Sequence, residues 1–269
     1  MPATDDIANV RTIVWDYYHD HGRHDMPWRR DDYNPYFIMV SEIMLQQTQV
    51  SRVFIKFNEF IETFPTVESL AAAPQSEVLI TWSGLGYNRR AKFLHQAAQM
   101  IVGEYNGSFP RSVNELVRLP GIGVNTAGAI MAYACNDPVV FVETNIRTVI
   151  IHHFFSDDSA VPDKAILAVA EELLDREHPR EWYWALMDYG TYLKQAVGNL
   201  NRQSKSYAKQ SKFEGSRRQI RGQVLRELAG AAKTSRQLAA AINDERLETV
   251  IHDLLREGLI AKKGTTLSL

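Results

Sequence analysis

Apolar residues recur at helical spacing through most of this 269-residue chain, and that periodicity limits the fold more than any other feature. No convincing alternation of apolar and polar residues occurs before the last ten, so a sheet-based core has little to be built from. Caps and breakers predict helices at roughly 5–20, 35–47, 49–63, 67–72, 76–81, 88–104, 112–118, 124–135, 145–154, 163–176 and 180–194. The expected fold is therefore all-α. After these helices, GNLNRQSKSYAKQSKFEGS is polar, aperiodic and basic, as a linker or DNA-facing loop would be. RRQIRGQVLRELA, SRQLAAAI and ERLETVIHDLLREGLI then read as three short amphipathic helices, and LIAKKGTTLSL as a terminal hairpin. That order suggests a small winged-helix-like unit.

The segment NPYFIMVSEIMLQQTQV raises a question about charge. Asn34 is placed to cap a helix with Pro35 at its first position, and Thr48 reads as a fresh cap after it. The residues around Glu42 are apolar on every side, which predicts a buried helix. A buried carboxyl is hard to ionise, so Glu42 either pairs with a cation or is kept for proton transfer near neutral pH. These residues alone leave both readings open.

A second signal is ELVRLPGIGVNTAGAIMAYA. A helix ends near Leu119, Gly121 and Gly123 tolerate positive φ in the turn, and a small-residue helix follows: a helix-hairpin-helix. Glycines let a backbone come close, and the N–H groups at the next helix start, from Val124 on, suit a phosphate. Any tight turn between helices can also carry Gly. Further on, Glu143 precedes the helix start in VVFVETNIRTV, where a carboxylate is favoured and should stay ionised, whether as a catalytic group or as a plain terminal charge. Glu42 held towards the acid and Glu143 towards the anion would divide the work of sugar–base cleavage, one delivering a proton and the other facing an oxocarbenium-like sugar.

Composition narrows the classes. Hydrophobic residues are 45% and charged residues 23%, ordinary for a globular protein, and no apolar run of about eighteen residues is long enough to span a bilayer. The acidic start MPATDDIANV does not read as a signal peptide, so a cytoplasmic, nucleoid-associated protein with no membrane partner is expected. The net charge is only -2, yet between Thr191 and Val224 eight basic residues face the single acid Glu214. Lys205, Lys209 and Lys212 lie in this tract, which suits either a phosphate backbone or a solvated linker. One cysteine, Cys135, excludes an internal disulfide or a multi-thiolate site within the chain. HDHGRHD, with His19, His21 and His24, reads as an exposed turn rather than a zinc site; no metal and no other cofactor are expected.

MPWR (Met26 to Arg29), SEIMLQQTQV, WSGLGYNRRA, LPGIGVNTAGAI, ETNIRTV and ALMDYG occur in order over about residues 8 to 190. Together they resemble the helix-hairpin-helix (HhH-GPD) DNA glycosylases, most closely the adenine glycosylase, MutY-like branch. The resemblance implies a two-lobed fold that flips its target base into the cleft between lobes. The corresponding segments are a six-helix lobe with the hairpin at 30–136, a second helical lobe from 1–29 and 137–212, and the winged-helix-like unit at 213–269. Glu42 matches the family's catalytic acid; Glu143 falls where the family nearly always has Asp, and Asn145 keeps the neighbouring polar position. Gln47 and Tyr87 match residues that wedge into the duplex beside the opposite base, and Met26, Trp28, Arg29 and Asp188 match the pocket wall. For Trp28 and Tyr87 core packing is the alternative. Asp188 is expected to accept a hydrogen bond from adenine's exocyclic amine.

Asn125 stands where strand-cutting members have Lys, so base removal only is expected. The family's four cluster-binding cysteines are absent after ALMDYG, which makes this a clusterless member, and the family's larger C-terminal domain is replaced by about fifty residues. The implied function is a monofunctional adenine glycosylase acting as a monomer on double-stranded DNA, at adenine opposite guanine or 8-oxoguanine. A glycosylase for thymine, uracil or another damaged base, and a non-catalytic DNA-binding protein using hairpin and wing, are the alternatives.

Overall fold

The structure, a computed structural model, describes residues 4–156, 158, 160–205, 207 and 212–269. In chain order the helices are α1 (Thr4–His21), α2 (Pro35–Leu45), α3 (Val50–Thr63), α4 (Val67–Ala72), α5 (Gln75–Thr81), α6 (Arg89–Tyr105) and α7 (Val113–Leu116). They continue with α8 (Val124–Cys135), α9 (Thr144–Phe154), α10 (Asp163–Leu173), α11 (Pro179–Ala196), α12 (Arg217–Gly230), α13 (Ser235–Ala241) and α14 (Leu247–Arg256). Three short strands, β1 (Lys233–Thr234), β2 (Ala261–Lys263) and β3 (Thr266–Ser268), form an antiparallel sheet in the order β1-β3-β2. Each helix expected before residue 200 is present, and the terminal hairpin is β2–β3. β1 was not foreseen: two residues cannot display a period of two. The all-α body with a small winged-helix-like C-terminal segment is thus the observed fold. Among the described residues, no helix is long and apolar enough to cross a membrane.

The chain divides into two compact units. The first comprises residues 1–38, 111–117 and 122–209, and the second 39–110, 118–121 and 210–269. These differ from the segments read from sequence: α8 joins the first unit, the winged segment joins the second, and one boundary falls inside α2.

In the first unit α11 is the central element, packed against α1, α8 and α9, with Trp182, Tyr183, Ala185 and Leu186 buried. Its WYWALMDYG run leaves little polar surface, hence its depth. Helix ends that cannot complete their own hydrogen bonds are closed by arginines. Arg11 donates to the carbonyls of Glu172, Leu173 and Leu174 at the end of α10, and Arg180 to those of Tyr133 and Ala134 at the end of α8. After α11 the chain turns into a 3-10 helix, Leu200–Gln203, against α9. There the buried Asn201 Nδ2 donates to Thr148 Oγ1 at 2.9 Å, Arg147 reaches Ser204 Oγ at 3.0 Å, and Val161 N–H donates to the Gln203 carbonyl at 2.8 Å.

The second unit packs α4 and α5 on α6 around Phe57, Phe60, Trp82, Leu94 and Ile101. α12 lies against α14 and α5. Gln75 donates to the Gly258 carbonyl at 2.8 Å and Lys92 to that of Glu257 at 2.6 Å, so the winged segment is built into this unit.

Candidate active site

The α2 region begins as its sequence demands. Asn34 Oδ1 accepts from Tyr36 N–H at 2.9 Å, and Met39, Val40, Ser41, Ile43 and Met44 are buried. Glu42, however, is half-buried rather than sealed in, on one helical stripe with the half-buried Pro35, Leu45 and Gln46. The helix stops at Leu45, and Gln47 takes a left-handed φ of 56°. Nor does Thr48 cap α3, whose N-cap is Gln49. Thr48 instead accepts a hydrogen bond from Arg90, the residue that organises this region.

Arg90 is a buried cation surrounded by oxygen atoms. One guanidinium nitrogen donates to the carbonyls of Ile43, Met44 and Gln46 at 2.8, 2.8 and 2.6 Å. The other reaches Thr48 Oγ1 at 2.9 Å and the carbonyls of Leu85 and Gly86 at 3.1 Å. The C-terminus of α2 is thereby fastened to the SGLGYN turn, where Gly84, Gly86 and Tyr87 have φ of 98°, 72° and 47°. Left-handed backbone at Gln47 and Tyr87 is strained, about 1–3 kcal/mol each, and persists because its surroundings over-determine it. Burial pushes the Arg90 pKa down to about 10, against the effect of the Tyr87 ring beside it, and Arg90 still carries its charge at neutral pH. Tyr87 is half-buried, so it is not a core residue. A cavity of about 450 Å³ is lined by Gln46, Gln47, Tyr87, Gly121 and Arg218, all in the second unit.

The hairpin separates its two glycines. Gly121 has φ of 81°, and a Cβ there would lie 2.8 Å from Phe93 Cβ, so glycine is required twice over. Gly123 has φ of -89° and open space around a Cβ; the fold does not need its glycine. It is the N-cap of α8 and offers no side-chain cap, leaving the helix end with exposed Val124 and Asn125. Lys205 and Lys212 are exposed as expected, and Lys209 lies outside the described residues.

In the first unit, Glu143 is the N-cap of α9, but its side chain makes no cap hydrogen bond. Its Oε1 is buried and has no hydrogen-bond partner among the described residues. Burial raises the carboxyl's pKa, opposed by the Thr144 and Asn145 amides and by Lys194. This corrects the expectation that the helix start lowers the carboxyl's pKa: desolvation outweighs the helix terminus here. Asn145 is half-buried, with its Nδ2 4.0 Å from Met187 Sδ. Directly across, a Cβ on Gly190 would lie 2.3 Å from the Asn145 carbonyl oxygen, so α11 and the start of α9 touch backbone to backbone.

Asp188 differs from the sequence expectation too. Its carboxylate accepts from Arg23 N–H and Nε, both at 2.8 Å, and from both terminal nitrogens of Arg29 at 2.8 and 2.7 Å. With its side chain only 1% exposed and its four donors in place, Asp188 is not open to a base's exocyclic amine; it fixes Arg29. Burial works to raise its pKa, but the bonds and charges of Arg29 and Arg23 prevail and hold it below the usual range. Arg29 also lies 5.4 Å over the Trp184 ring, and its N–H bonds the Met26 carbonyl at 2.8 Å, while Met26 and Trp28 are half-buried. His19, His21 and His24 end or follow α1 and contact Trp15, Tyr17 and Tyr18; among the described residues no cluster of metal-ligand side chains forms.

Arg90, Arg23 and Gly190 were not singled out from sequence. Only Gly190 left a clear trace: a glycine inside the α11 pattern costs about 1 kcal/mol against alanine and usually marks close packing.

Residues 40–175 match the family described as HhH-GPD superfamily base excision DNA repair protein. An adenine DNA glycosylase of Mycolicibacterium smegmatis is 46% identical over 144 residues, covering 54% of this chain and 48% of that protein. One of Mycobacterium tuberculosis is 38% identical over 190 residues, covering 68% and 60%. The chain thus spans about half the length of the curated relatives it matches. Among solved structures, a thermostable thymine-DNA glycosylase aligns with a TM-score of 0.60 at 25% identity, covering 69% of this chain and 86% of that one.

Proposed function

The chain belongs to the HhH-GPD superfamily of base excision DNA repair proteins, and from that premise we propose that it is a monofunctional DNA glycosylase removing adenine mispaired with guanine or 8-oxoguanine. The adenine glycosylases among its relatives support the choice of base. The observation that carries the catalytic reading is Glu143. A buried carboxyl oxygen without a partner is costly, and such a group suits a site that must meet positive charge. In this reading Glu42 protonates a ring nitrogen of the departing adenine as the bond from sugar C1′ to base breaks and its electron pair leaves with the base. The Glu143 carboxylate stabilises the cation developing on the sugar; water then adds at C1′ and passes its proton to that carboxylate. Asn125 has no amine for a Schiff base, so the strand stays whole.

Gly123 and Val124 would meet a phosphate at the start of α8, with Lys205, Lys209 and Lys212 adding sequence-independent attraction. Gln47 and Tyr87 would face the opposite strand. The iron–sulfur cluster of related enzymes does not fit here, since one cysteine cannot supply its ligands and hydrogen bonds from Asn201 to Thr148 and from Arg147 to Ser204 brace the segment after α11.

The test is a single-turnover assay on duplexes carrying each mispair. Adenine should be released opposite guanine and 8-oxoguanine, with strand breakage only after alkali. Glu42→Gln should bind mispaired duplex yet lose excision by at least about a hundredfold, the scale of general acid catalysis. Release of thymine or uracil with adenine untouched would overturn the reading.

A further inference from the structure

The geometry around Tyr87 points to a role for the winged segment that rests on the reading above. We propose that Arg218, on α12, is a positioning residue that sets Tyr87 against the base opposite the one removed. Its guanidinium donates to Tyr87 Oη at 2.5 Å and lies 5.2 Å from the ring centroid. Arg90 lies 5.4 Å from the same centroid while holding the backbone of the turn. The tyrosine is thus held at two ends: its main chain by Arg90 and its hydroxyl by Arg218.

The support for Arg218 is itself rigid. Arg217 pairs with Asp253 and Arg221 with Glu257, both at 2.6 Å, joining α12 to α14 and its C-terminal end on either side of Arg218. Lys92 and Gln75 then fasten the Glu257–Gly258 turn to α6 and α5. Tyr87 and Gln47, both in left-handed backbone, line the same cavity of about 450 Å³ as Arg218, a volume ample for a nucleobase. An aromatic ring fixed at a cavity wall is a stacking platform whose value depends on the surface it meets, and a purine offers the most. The chain's short C-terminal segment therefore influences the choice of opposite base through a residue of the catalytic body.

The test compares single-turnover excision and duplex affinity for wild type, Arg218→Ala, Tyr87→Phe and the double variant. Adenine is placed opposite guanine, 8-oxoguanine or an abasic tetrahydrofuran. The loss in Arg218→Ala should be about tenfold greater with a purine opposite than with tetrahydrofuran, the scale of one charge-assisted hydrogen bond. Tyr87→Phe keeps the ring and the fold, should reproduce that dependence, and should add nothing further in the double variant. Equal losses on all three duplexes, or additive losses, would overturn the inference in favour of a phosphate contact. A wild type that binds duplex without excising adenine would overturn the functional reading alone, and the inference would then be decided by the affinities. No duplex binding at all would overturn both.

Discussion

Asp188 is a buried anion held by two guanidinium groups, whereas Arg90 is a buried cation held by five carbonyls and one hydroxyl. Each sits in a different unit, and each fixes something different. Around Asp188 the partners are side chains, so the pair orients Arg29 and ties the segment after α1 to α11 by charge. Around Arg90 the partners are main-chain oxygens, so the cation shapes backbone and holds Gln47 and Tyr87 in conformations they would not otherwise keep. A clamp made of opposite charges is sensitive to the loss of any member; a cage of carbonyls is sensitive to the shape of what fills it.

That contrast can be broken first at Asp188. Asp188→Asn should cost about 3–5 kcal/mol in urea unfolding, because the buried Arg29 guanidinium and the half-buried Arg23 lose their counter-charge. The parent's acid behaviour should change as well. The folded carboxyl titrates below the unfolded value of 3.8, so the unfolded chain takes up the proton first. The stabilisation is present above 3.8 and lost as the pH falls through the lower folded value, and the variant should lack that part of the acid limb. Unchanged stability would mean that Arg23 and Arg29 need no anion.

Arg90→Met should cost about 3 kcal/mol, since buried carbonyls lose their donors. Arg90→Lys should recover less than half, because a point charge cannot span the fork's acceptors; full recovery would reduce the cage to a matter of charge.

The glycines sharpen the same comparison at smaller scale. Gly190→Ala in the first unit should cost about 1–3 kcal/mol by forcing α11 away from Asn145. Gly121→Ala in the second should cost about 1–2 kcal/mol through its φ and the Phe93 contact. Gly123→Ala should stay within about 0.5 kcal/mol of the parent, yet weaken duplex binding if a phosphate approaches that position. Thermal melts and a binding titration on the three variants separate these outcomes.

What could be read from sequence follows the range of the interactions. Asn34 capping α2 and the LPGIG turn are local, and periodicity with turn chemistry reveals them. Arg90 is not: in WSGLGYNRRA it looks like one of two adjacent surface charges, and only the distant carbonyls of α2 make it a buried cation. Asp188 was legible as a site residue but not in its task, because its donors lie 159 and 165 residues away. Glu143 shows the same limit in electrostatics. Its place before a helix predicts a lowered pKa, whereas desolvation, invisible in one dimension, reverses the sign.

The hydrogen bonds from Asn201 to Thr148 and from Arg147 to Ser204 have a consequence for supply rather than shape. A brace of amide, hydroxyl and guanidinium groups is complete as soon as the polypeptide folds. Its members are all side chains of the polypeptide itself, so the brace waits on nothing delivered from outside.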